Sequence, residues 1–177
     1  MSQKQKLYQT FVNPFLIKPK RPLPDEMAVI GAGSIGPDIA YYLRGALPDK
    51  KLYLVDIAEE PLRNAEKRFQ GYAQKAIARK KLKEDQAQAL LKNIVYTTDY
   101  GQMKHCGLVI EAATENLDLK QKIFEKVEEV VGEDAILTSN TSSIPADRVF
   151  ARMKKPERCT ITHFFAPAWF SLGIEVV

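Results

Sequence analysis

The feature that most constrains this chain is a short apolar run ending in a glycine-rich turn: Met27-Ala-Val-Ile30, then Gly31-Ala-Gly33-Ser34-Ile35-Gly36. Apolar residues then recur at every fourth position, at Ile35, Ile39 and Leu43, the spacing of one helix face. Strand, tight turn and helix in that order leave few architectures open. Gly31 permits the turn, Gly33 lets an anion approach the backbone, and Gly36 lets helix and strand pack closely, with Ser34 and Ile35 completing the loop. The bare N–H groups at the helix start, with the helix dipole behind them, favour a phosphate there.

The next apolar run, Lys51-Leu-Tyr-Leu-Val55, reads as a strand buried on both faces, and Asp56 ends it twenty residues after Gly36. An acid at that place hydrogen-bonds ribose hydroxyls and repels a 2′-phosphate. Glycine loop and acid together predict a dinucleotide site, and NAD rather than NADP. The carboxylate also suits the cap of the helix that follows, and its two oxygens allow both uses.

Residues 58–92 read as helix with a break near Lys81–Glu84. Leu62, Phe69, Ala73, Ala76 and Ile77 form its apolar stripe, and Lys75, Arg79, Lys80, Lys81 and Lys83 a basic cluster. That cluster is either a solvated face or a surface for a phosphorylated substrate. Strands follow at Ile94–Thr97, Leu108–Ala113, Ala135–Ser139, Cys159–His163 and Gly173–Val177, with an amphipathic helix marked by Leu119, Ile123, Val127 and Val130 and a short one opening at Pro145. Alternating strands and helices predict an α/β fold, a Rossmann-type doubly wound and mostly parallel sheet.

Only nine residues, Phe164 to Leu172, separate the last two strands. A parallel crossover normally needs a dozen or more, so the last strand is expected antiparallel to its neighbour. His163 then ends one strand while Glu175 sits early in the next, both at the sheet edge where ligands bind in open α/β folds. A neutral imidazole beside a carboxylate is a general base near neutral pH, fit to take a hydroxyl proton while hydride leaves for a nicotinamide. His105 has no such partner and is given no role.

A pI near 9.0 suggests nucleic acid, but the excess charge is local. Lys4, Lys6, Lys18, Lys20 and Arg21 precede the first acid, Asp25; without those five, 21 basic residues face 22 acidic ones. Neither a polyanion partner nor a membrane is expected, since no apolar run approaches a span. Residues 1–24, with four prolines, are read as a separate surface arm, and 25–177 as one domain. The arm's basic, acid-free character matches a mitochondrial presequence only weakly, given one Arg and one Ser. Two cysteines, Cys106 and Cys159, suggest a reducing compartment, hence the cytoplasm. No metal is expected.

Gly31-Ala-Gly-Ser-Ile-Gly36, Asp56, Glu111-Ala-Ala-Thr-Glu115, Asn140-Thr-Ser-Ser143, His163-Phe-Phe-Ala-Pro167 and Glu175-Val-Val177 occur in order. Together they resemble the NAD-binding domain of the L-3-hydroxyacyl-CoA dehydrogenase family, which includes 3-hydroxybutyryl-CoA dehydrogenases, over about residues 27–177. The resemblance implies His163 as catalytic base with Glu175 as its partner, and Ser142 at the substrate's 3-oxygen. It implies Glu115 and Asn140 beside the cofactor, Asp56 on the adenosine ribose, and the basic helical segment near coenzyme A. The implied reaction converts (S)-3-hydroxyacyl-CoA and NAD⁺ to 3-oxoacyl-CoA and NADH, as in fatty acid β-oxidation.

Three departures stand out. Ala166 replaces the family's Asn in Phe-Phe-Asn-Pro, removing a polar contact to substrate. Pro37-Asp38 follows Gly36 where the family has a glycine in place of Asp38, and a carboxylate there either repels the diphosphate or points to solvent. Family members also continue into a helical domain that closes the acyl pocket and forms the dimer. The chain is therefore expected to bind NAD, to turn over weakly alone and to expose apolar surface. The alternatives are a dehydrogenase of a free 3-hydroxy acid such as a sugar acid, and a non-catalytic NAD-binding module.

Overall fold

The computed structural model describes residues 21–169, 171 and 173–177, so most of the expected arm lies outside the described residues. Seven strands form one sheet: β1 (Glu26–Ile30), β2 (Lys51–Val55), β3 (Ile94–Thr97), β4 (Leu108–Glu111), β5 (Ile136–Ser139), β6 (Cys159–Phe164) and β7 (Ile174–Val176). Their order in space is β3-β2-β1-β4-β5-β6-β7, doubly wound from the centre. Every neighbouring pair is parallel except β6 and β7, which run antiparallel with His163 opposite Glu175. The short last connection had predicted this.

Burial on both faces explains the unbroken apolar runs. Met27 and Val29 of β1, with Leu52 and Leu54 of β2, face α1 (Gly36–Ala46), α2 (Glu59–Ala78) and α3 (Glu84–Leu91), meeting Ile39, Leu62 and Phe69. The alternate residues Ala28, Ile30, Tyr53 and Val55 face α4 (Leu117–Val130) and α5 (Ala146–Val149), meeting Phe124, Val127 and Val149. Phe69 and Phe124 are wholly buried, each contributing about 2–3 kcal/mol relative to exposure.

The helical excursion differs from expectation in detail. Its inward stripe is Leu62, Ala65, Phe69 and Ala73, while Ile77 is 36% exposed. The break comes at 79–83, where Lys80 takes a left-handed φ of 56°. Arg44, buried in α1, donates to the carbonyls of Leu47, Pro48 and Lys50 and to those of Ala89 and Leu90 at the end of α3. One guanidinium thus fastens the excursion to the sheet-side body. Strand β4 stops at Glu111 rather than reaching Ala113, which releases 112–116 as the turn that carries Glu115.

Candidate active site

The glycine loop owes its shape to contacts that glycine alone allows. Gly31 has φ +103°, and a Cβ there would lie 2.7 Å from the Ala112 carbonyl oxygen. At Gly36 a Cβ would lie 1.8 Å from the Gly31 carbonyl oxygen, so α1 starts hard against the loop. Gly33 is different: it is exposed, and nothing of the protein lies within 4 Å of a Cβ built there. Its missing side chain leaves room for a ligand rather than for the protein, the opening a phosphate needs to reach the backbone.

Asp56 fixes this loop. Its Oδ2 accepts from the Ala32 N–H at 2.7 Å and its Oδ1 from the Ala58 N–H at 3.1 Å. The second contact is an Asx-type turn leading into α2, whose cap residue, Ala58, has no side chain able to cap the helix itself. Gly31, Gly33, Ser34, Ile35 and Asp56 line a cavity of about 370 Å³, with Ile57, Leu119 and Ile123 as apolar walls. An open glycine loop, an acid at the strand end and an apolar wall fit the diphosphate, ribose and base of a dinucleotide. Tyr100 also lines the cavity; burial, then Asp56 and Glu111, push its hydroxyl up to about 12, so it stays neutral.

Asp38 takes neither orientation expected of it. It is 5% exposed, and its Oδ1 accepts from Arg68 Nη2 at 2.7 Å and from the Tyr72 hydroxyl at 2.9 Å. The carboxylate points at α2, away from both cofactor cavity and solvent.

At the end of β4 lies a buried ionic cluster. Glu111, with no exposed surface, accepts from Lys120 Nζ at 2.8 and 3.0 Å, from Ser139 Oγ at 2.5 Å and from the Ala113 N–H at 2.7 Å. Lys120 Nζ is also 3.3 Å from Glu115, which accepts from the hydroxyls of Thr141 and Ser143. Burial pushes the Glu115 carboxyl up, but the two hydroxyl donors and the Lys120 charge outweigh it and hold it below its ordinary value. Lys120 was not singled out from the sequence. Its signal was available, because it sits three and seven residues before Ile123 and Val127 on the inward face of α4.

The loop after β5 brings the remaining expected residues together. The Asn140 N–H donates to the Glu111 carbonyl at 2.7 Å, and its Oδ1 accepts from the Phe164 N–H at 2.8 Å, locking the backbone next to His163. Ser142 is exposed between Thr141 and Ser143, the two residues held by Glu115. His163 Nδ1 lies 3.5 Å from Glu175 Oε2, with side-chain exposures of 21% and 60%. The His163 ring also packs on Phe165 at 4.9 Å between centroids. Glycine loop, Asp56, Glu115, Asn140, Ser142 and His163 all follow or end parallel strands at one edge of the sheet. From β1 to β6 is three strand spacings, about 14 Å.

Comparison with known proteins supplies the family. Residues 26–177 match the family model described as 3-hydroxyacyl-CoA dehydrogenase, NAD binding domain. The 3-hydroxyadipyl-CoA dehydrogenase of Escherichia coli is 36% identical over 151 residues, 85% of this chain and 31% of that protein. The fatty acid oxidation complex subunit alpha of Colwellia psychrerythraea is 34% identical over 153 residues, 86% of this chain and 21% of that one. The solved structure of (S)-3-hydroxybutyryl-CoA dehydrogenase from Ralstonia eutropha superposes with a TM-score of 0.82 at 31% identity, over 86% of this chain and 53% of that one. The chain thus spans a third or less of the curated relatives' length. It belongs to the 3-hydroxyacyl-CoA dehydrogenase family as an NAD-binding domain.

Proposed function

Starting from that membership, we propose that residues 25–177 form the cofactor half of an enzyme oxidising (S)-3-hydroxyacyl-CoA to 3-oxoacyl-CoA. The single observation that carries the reading is the His163–Glu175 pair, 3.5 Å apart at the sheet edge that also holds the glycine loop. Bound NAD⁺ supplies the hydride acceptor. Gly31, Gly33, Ser34, Ile35 and Gly36 hold its diphosphate, Asp56 its adenosine ribose, and Glu115 and Asn140 shape the nicotinamide side.

The protein's own part is the proton. Glu175 faces Nδ1 of His163, which favours the tautomer protonated there and leaves Nε2 bare toward substrate. Nε2 accepts the 3-hydroxyl proton as the C3–H bond breaks, and Glu175 stabilises the resulting imidazolium. Ser142 donates to the 3-oxygen. The exposed basic residues Lys75, Arg79, Lys80, Lys81 and Lys83 suit the phosphates of a coenzyme A thioester.

Among the described residues no helix is long and apolar enough to cross a membrane. Both cysteines are free, and burial pushes Cys106 up to about 12 and Cys159 up to about 11. Inert, unpaired thiols support a reducing compartment, and we place the protein in the cytoplasm.

The test is NADH formation from (S)-3-hydroxybutyryl-CoA, compared between this chain and a version extended past Val177 by a relative's C-terminal part. Turnover of the thioester but not of free 3-hydroxybutyrate supports the reading. An extended form that binds NADH yet oxidises no hydroxyacyl-CoA contradicts it.

A further inference from the structure

The glycine loop has a second anchor besides Asp56. Arg68, on α2, donates from Nη1 to the Ser34 carbonyl at 2.9 Å, from Nη2 to Asp38 at 2.7 Å and from Nε to the Tyr72 hydroxyl at 2.7 Å. The Tyr72 hydroxyl donates in turn to Asp38 at 2.9 Å, closing a ring of three side chains. Neither Arg68 nor Asp38 lines the cofactor cavity, whereas Ser34 does.

We propose that Arg68 is a positioning residue for the dinucleotide: it grips the glycine loop from behind through Ser34 while neutralising the buried carboxylate of Asp38. The inference deepens the cofactor reading and rests on it. Two physical needs meet here. Gly33 precedes Ser34 directly, so the loop has more conformational freedom to lose when a ligand settles on it, and a fixed carbonyl reduces that loss. Asp38 lies in the first turn of α1, where its charge opposes the attraction of that helix end for a diphosphate unless a cation cancels it. A planar guanidinium serves both, because its fork reaches three acceptors at once; an ammonium carries the charge without that geometry.

The same cluster reaches further. Tyr72 packs on Trp169 with ring centroids 5.3 Å apart, and Trp169 lies in the connection joining His163 to Glu175. Burial raises the Asp38 carboxyl in spite of Tyr72 and Arg68, which marks the carboxylate as a cost to the fold and not its support.

The experiment is a fluorescence titration of NADH with thermal melts on the 177-residue chain, comparing wild type with Arg68→Met, Arg68→Lys, Asp38→Asn and the double variant Asp38→Asn/Arg68→Met. Arg68→Met is expected to weaken NADH about tenfold and lower the melting temperature. Arg68→Lys keeps the charge and still weakens NADH severalfold, while Asp38→Asn stays within threefold because the Ser34 contact survives. The double variant regains the melting temperature but not the affinity. Arg68→Met binding NADH within twofold of wild type overturns the proposal. So does a double variant that regains full affinity, which would reduce Arg68 to a counter-charge. Wild type that binds no NADH would instead sink the cofactor reading, and this proposal with it.

Discussion

Replacing Lys120 by Met should be among the most damaging single changes outside the reacting groups. Lys120 is 1% exposed, and Glu111, which accepts two of its contacts, is 0% exposed. The change leaves Glu111 with only Ser139 Oγ and the Ala113 N–H, a buried charge without a counter-ion. Removing one partner of such a pair costs about 3–5 kcal/mol, about a fifth or more of a typical domain's stability of about 5–15 kcal/mol. For a chain of this size that corresponds to a melting temperature lower by roughly 6–20 °C. Removing the charge as well, in Glu111→Gln/Lys120→Met, should restore most of the loss, because the glutamine oxygen still accepts from the Ala113 N–H while its amide nitrogen donates to Ser139 Oγ. Urea unfolding with an unchanged m-value measures both. A loss below about 1 kcal/mol for Lys120→Met, or a double variant no better than the single, would mean that Lys120 does not compensate the Glu111 charge.

Two glycines of the loop, the buried Gly36 and the exposed Gly33, should part company. Gly36→Ala forces backbone apart, because its Cβ would meet the Gly31 carbonyl at 1.8 Å, so melting temperature and NADH affinity both fall. Gly33→Ala meets no protein atom within 4 Å, so stability stays within about 0.5 kcal/mol while NADH affinity drops at least tenfold. Glu115, whose folded-state carboxyl is held below its ordinary 4.5, contributes stability that is present above that value and lost as pH falls through the lower folded one. Glu115→Gln should therefore be less stable than wild type at neutral pH, with the gap closing in acid; a gap that widens below about pH 4 would contradict the assignment. Asp56→Ser should weaken NADH and narrow its preference over NADPH in parallel titrations, since the carboxylate both fixes Ala32 and excludes a 2′-phosphate.

What could be read from the sequence was what depends on local spacing. The glycine turn, the acid at the end of β2 and the direction of β7 follow from runs and loop lengths, and β7 placed Glu175 opposite His163 as expected. Boundaries and pairings between distant side chains did not. Ile77 fits the stripe of α2 by period, yet the helix ends one residue later and leaves it exposed. Asp38 looked like a charge facing ligand or water because its partners, Arg68 and Tyr72, come from another helix some 30 residues on. Lys120 is buried against Glu111 at the end of β4, and only its place on the inward face of α4 hinted at a buried acid to meet it. Where a helix ends and which side chains meet across packed elements, neither of which local spacing encodes, decided all three.

The measurement that reaches the central claim most directly is hydride transfer with the base removed. NADH oxidation by acetoacetyl-CoA is followed for the extended protein, for His163→Gln and for Glu175→Gln, alongside NADH dissociation constants. His163→Gln should lower the rate by about 10²–10⁴-fold with NADH affinity within a factor of about two, and Glu175→Gln should fall between it and wild type. A His163→Gln variant that keeps its rate within about tenfold of wild type would show that the proton is handled elsewhere and that His163 is not the base.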